Sequence, residues 1–76
     1  MFFVYVLKDE GTEQHYVGSC EDFERRMDEH RRKKPSYKLV YKETRGTRFE
    51  ALKREMYLKS GNGRRALKLL LLKHSI

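Results

Sequence analysis

The chain has 76 residues, 38% of them hydrophobic, and carries 18 Lys and Arg against 11 Asp and Glu, a net charge of +7. That length makes one small domain over residues 1–76 with one modest core, and no apolar run is long enough to span a bilayer. The charge points to polyanionic partners, set against the plain alternative of an inert basic exterior. The lone Cys20 excludes an internal disulfide framework, and the first apolar run is too short for a signal-peptide core, so cytoplasmic residence is expected.

Residues 2–7 are aromatic and β-branched and read as a buried strand. Residues 8–13, with Gly11 and several charges, read as a turn, and residues 14–20 as a second strand forming an antiparallel hairpin with the first. Alternation puts Tyr5 with Phe3 and Leu7, and Tyr16 with Gly18 and Cys20. Whether the two tyrosines share a face depends on a register that the loop does not fix.

Asp22 is an N-cap for a helix running to about Lys33. Phe23, Met27 and His30 fall on one stripe, and Arg26 lies one step round it, a turn from His30. Pro35 ends this helix after the basic cluster Arg31, Arg32, Lys33 and Lys34. Residues 37–44 alternate as a third strand, with Tyr37, Leu39 and Tyr41 in one row. Thr47 and Glu50 form a capping box for a helix through Ala51, Leu52, Met56 and Leu58 to about Ser60. Gly61 and Gly63 read as a C-cap and break. A last helix then starts near Arg64 or Arg65, with Leu67, Leu70, Leu71 and His74 as its stripe, widened by Leu69 and Leu72. The order β-β-α-β-α-α defines an α+β domain: a small, mainly antiparallel three-stranded sheet flanked by helices.

With those residues placed, the chain resembles the GIY-YIG nuclease family. The two name-giving tripeptides read Val4-Tyr5-Val6 and Tyr16-Val17-Gly18 here. The stretch 21–30 resembles the family's first helix, with its arginine at Arg26 and its histidine at His30. Residues 51–55, then Leu58-Lys59 and Gly61-Asn62-Gly63-Arg64, resemble the metal-binding helix and its exit. The resemblance covers nearly the whole chain and is closest to the small free-standing bacterial members. There are two departures. Residues 31–37 form a shorter segment than those members usually have, and Ser19 stands where some repair-type members carry a lysine.

The resemblance implies a metal-dependent DNA endonuclease with catalytic residues Tyr5, Tyr16, Arg26, His30 and Glu55. Tyr16 would be the general base, needing nearby cations or metal to shed its proton, or else a packed strand tyrosine. Tyr5 would support it or be structural. Arg26 offers a planar fork to phosphate oxygens, and His30 either holds the phosphate or is a half-buried structural histidine. Glu55 would hold one Mg2+ or Mn2+, unless it is a surface glutamate paired with Lys59. Arg31, Arg32, Lys33, Lys34, Lys59, Arg64 and Arg65 are expected to meet DNA phosphates. The implied substrate is branched, damaged or single-stranded DNA, in repair or another role, with a second copy or a targeting partner choosing the site.

Two other classes stay open at this point. One is a weakly active or inactive nucleic-acid-binding module of the same fold. The other is a protein that meets other proteins through Leu69–Leu72.

Overall fold

The computed structural model describes residues 1–73. It contains, in order, strands β1 (Phe2–Asp9) and β2 (His15–Cys20), helix α1 (Phe23–Lys33), strand β3 (Tyr37–Arg45), and helices α2 (Arg48–Lys59) and α3 (Gly61–Lys73). The three strands form one antiparallel sheet in the order β2-β1-β3, which puts the most apolar strand in the middle. The α+β architecture and the order β-β-α-β-α-α are those expected from the sequence.

The hairpin turn is organised by Asp9. Its carboxylate accepts from the Gly11 N–H at 3.0 Å and from the Thr12 hydroxyl at 2.9 Å. Glu13 takes the left-handed conformation there, with φ 62°. The hairpin register places Tyr5 opposite Gly18 and Leu7 opposite Tyr16, so both tyrosines face the same side of the sheet. Helix α1 lies on that side, started by Asp22, whose side chain accepts from the Arg25 N–H. It buries none of its residues fully, and Phe23, Met27 and His30 are half-buried.

The opposite face carries the core. Val4, Val6, Val17 and Tyr41 pack against Ala51 and Leu58 of α2 and Leu67 of α3. Met56 and Leu72 are instead exposed, at 70% and 80%, as are Leu52 and Leu69. Leu69 and Leu72 therefore do not widen the apolar stripe of α3, because Leu67, Leu70 and Leu71 alone reach the sheet side. His74 lies outside the described residues.

Two other expectations are corrected. The first concerns strand β3, where Val6 pairs with Tyr41 but Leu7 pairs with Leu39, leaving Val40 as an inserted bulge residue. The bulge breaks the single row of the alternating pattern. Tyr41 joins the core, while Leu39 and Tyr37 turn to the α1 side, beside Leu7, Phe23 and His30. The second concerns the α2–α3 corner. Helix α3 begins at Gly61, and no glycine has a positive φ, so Gly61-Asn62-Gly63 is not a left-handed cap.

Ser60 makes that corner. Its hydroxyl donates to the Tyr57 carbonyl at 2.6 Å, closing α2, and accepts from the Gly63 N–H at 3.1 Å, opening α3. Gly63 is buried because the two helices touch backbone to backbone. A Cβ there would overlap the Tyr57 carbonyl oxygen and lie 2.9 Å from Leu58 Cα.

Candidate active site on the edge strand

Tyr5 is fully buried, yet its hydroxyl reaches the rim of the sheet, where its oxygen lies 2.8 Å from His30 Nε2. The rings of Tyr5, Tyr16 and His30 form a closed triangle. Tyr5 and Tyr16 stack at 6.4 Å, and His30 meets them edge-on at 5.5 and 5.2 Å. Glycine at position 18 is what admits this arrangement. A Cβ there would stand 2.5 Å from the Tyr5 oxygen and 3.1 Å from the Tyr16 ring.

Burial, with Tyr16 adding to it, pushes the Tyr5 phenol well above its ordinary value of 10.0, against the opposing pull of Arg26. Burial, then the cations Lys34 and Arg26, hold the His30 imidazole below 6.5. Both partners of the Tyr5–His30 hydrogen bond are therefore uncharged at neutral pH. Arg26 is near enough to oppose the rise of the Tyr5 phenol, and its guanidinium lies 3.8 Å from Glu29 with 42% of the side chain exposed. It has room to turn toward an incoming anion. Burial pushes the Cys20 thiol up, the reverse of what a nucleophilic cysteine needs.

Glu55 approaches from the other face. Ser19 points to the α2 side, opposite Val4, and its hydroxyl donates to Glu55 Oε1 at 2.6 Å. Lys59 Nζ sits 2.7 Å from Oε2. Because β2 is an edge strand, the two faces meet along its free side. A cleft of about 640 Å³ opens there, lined by Tyr16, Lys59, Arg64 and Lys68 among others. Lys59 thus borders both Glu55 and the Tyr16 cleft.

The residues named from the sequence separate accordingly. Tyr5, Tyr16, Arg26 and His30 form one contact group, and Glu55 stands across β2 from them. Arg31 is exposed and paired with Asp28 at 2.8 Å. Arg32, Lys33 and Arg65 are exposed, and none of these four lines the cleft, whereas Arg64 does. Lys34 lies over the Tyr16 ring, 3.9 Å from its centroid.

Among the described residues, no three of His, Cys, Asp and Glu come together as a metal cage. Glu55, with 18% of its side chain exposed, is a single carboxylate held in orientation by Ser19. That fits an ion such as Mg2+, which takes one or two carboxylates and fills its octahedron with waters and substrate phosphate oxygens.

Three features escaped the sequence reading. Lys68 lines the cleft, and Ser19 orients Glu55. Glu43 forms a network on the core face, bonded to the Tyr41 hydroxyl at 2.6 Å, to Arg54 Nε at 3.1 Å and to Arg45 at 2.5 Å. Glu43 was legible only once the bulge had set its face.

A three-stranded antiparallel sheet with paired tyrosines on its first two strands and a helical arginine and histidine above them is the frame of a nuclease-type hydrolase domain. The chain belongs to the GIY-YIG family: the GIY-YIG catalytic domain matches residues 1–68. Comparison with curated proteins and with solved structures finds no match.

Proposed function

We propose that this domain is a divalent-metal-dependent DNA endonuclease. The observation that carries the reading is the convergence of Tyr5, Tyr16, His30 and Arg26 beside a basic cleft on the free edge of β2. A phosphodiester lying along that edge has Tyr16 and His30 on one side and Glu55 with Lys59 on the other.

In this reading Tyr16 takes the proton from the attacking water. Arg26 turns from Glu29 to the non-bridging oxygens, where its fork opposes the charge that builds up in the transition state. Neutral His30 bonds the phosphate or the water while Tyr5 fixes its ring. Glu55, oriented by Ser19, would hold the metal once Lys59 swings from Oε2 to a neighbouring phosphate. What such an ion supplies is Lewis-acid stabilisation of the leaving oxygen.

The test is nicking of supercoiled and branched DNA with Mg2+ or Mn2+. Tyr16→Phe and Glu55→Ala should each lower the rate by about 100-fold or more. Unchanged rates in both variants would sink the assignment. The binding-module alternative draws on one observation, that both Glu55 oxygens are already engaged. Salt-dependent DNA binding with no cleavage under any metal would favour it.

A further inference from the structure

We propose that Lys34 is a positioning residue for Tyr16, holding the phenolic ring in place, rather than one more contact to the DNA backbone. The proposal rests on the reading of Tyr16 as the base.

Only Lys34, Pro35 and Ser36 join α1 to β3. The Lys34 N–H donates to the His30 carbonyl at 2.6 Å, and its own carbonyl accepts from the Tyr37 N–H at 3.0 Å, so its backbone is fixed at both ends. Its side chain is half-buried, unlike those of Arg31, Arg32 and Lys33. The ammonium sits 3.9 Å from the Tyr16 centroid and 5.4 Å from that of Tyr37. No carboxylate among the described residues lies within ion-pairing distance of it; its neighbours are the two ring faces. A cation over a phenol face is attracted by the ring, and more strongly once the ring carries negative charge.

The groups facing Tyr16 are Tyr5 from β1, His30 from α1, Lys34 from the α1–β3 connection, His15 on its own strand, Lys59 from α2, and Arg64 and Lys68 from α3. None is a carboxylate. Lys34 is the cation in direct contact with the ring, and it also helps to hold His30 neutral. A DNA phosphate competing for Lys34 would have to draw it off both tyrosines.

The experiment compares wild type with Lys34→Met, Lys34→Gln and Lys34→Arg in two independent measurements. In cleavage, Lys34→Met and Lys34→Gln should lower kcat on the order of tenfold. DNA affinity and its salt dependence should stay unchanged. Lys34→Arg should restore most of kcat. In NMR, the Tyr16 ring should flip faster in Lys34→Met and slow again in Lys34→Arg.

Weakened DNA affinity with a salt slope reduced by about one, and kcat unchanged at saturation, would make Lys34 a phosphate contact and overturn the proposal. So would a Tyr16 ring-flip rate that ignores residue 34. A wild-type protein that cuts no DNA would overturn the nuclease reading instead, and the ring-flip rate would still decide on Lys34.

Discussion

Tyr5 has its ring in the core and its hydroxyl in the site, and each half constrains the other. In the unfolded chain its phenol ionises near the ordinary 10.0; folded, it holds its proton to higher pH. The unfolded state therefore loses the proton first, and stability falls as pH rises past about 10. Tyr41, whose phenol is raised by burial and by Glu43, adds to the same loss. Tyr5→Phe should shrink this alkaline decline without removing it, as denaturant titrations between about pH 9 and 11 would register. His30 acts at the other end. Its folded imidazole resists protonation, so stability falls as pH drops below about 6.5, and His30→Gln should flatten that limb. Gly18→Ala tests the close fit itself. The added methyl must drive Tyr5 away from His30, costing about 1–3 kcal/mol in stability together with cleavage activity, measured by thermal unfolding and by nicking.

At the scale of elements, the two glycines of the α2–α3 corner should part company. Gly61 has no neighbour within 4 Å of an added Cβ and no positive φ, so Gly61→Ala should stabilise by about 0.5–1 kcal/mol. Gly63→Ala must separate two helix backbones and should cost about 3 kcal/mol or more, seen as a lowered denaturation midpoint. The sequence marks the corner but not its cause. Glycine after a helix signals a left-handed cap, and here the need is close approach, which depends on where a second helix lands. The Glu43 network is the other case. A glutamate in an alternating strand looks solvated, and only the β3 register brings it under Arg54. Glu43→Ala should cost on the order of 2 kcal/mol by leaving Arg54 without its partner, again read from denaturation.

For the molecule as a whole, local pattern and global fold agree wherever the information is local. The Asp22 and Thr47 caps, the alternation of β1 and β2 and the helix-stopping Pro35 lie close to where the sequence puts them. The shared face of the two tyrosines needed the hairpin register. The separation of Glu55 from Tyr16 needed the packing of α2 on β2, which no spacing rule encodes. The net charge of +7 is spread unevenly: Arg64 and Lys68 line the β2 cleft, and Arg31, Arg32 and Lys33 end α1. DNA affinity should therefore fall steeply with salt. Neutralising Arg64 should cut the log–log slope by about one, while Arg65, outside the cleft, should matter less. Fluorescence anisotropy across a salt series would separate them.

The inserted Val40 works as a parity switch in β3. Side chains alternate on both sides of it, but the phase is inverted: Tyr37 and Leu39 face α1, whereas Tyr41 and Glu43, at the same parity, face the core. Removing that one residue would exchange the duties of a whole half-strand. Either Tyr37 and Leu39 would be drawn toward the helix pair, taking from Lys34 its second ring, or Tyr41 and Glu43 would be lifted out of the core. Deletion scanning along β3 should therefore be far more damaging at position 40 than substitution there by another β-branched residue.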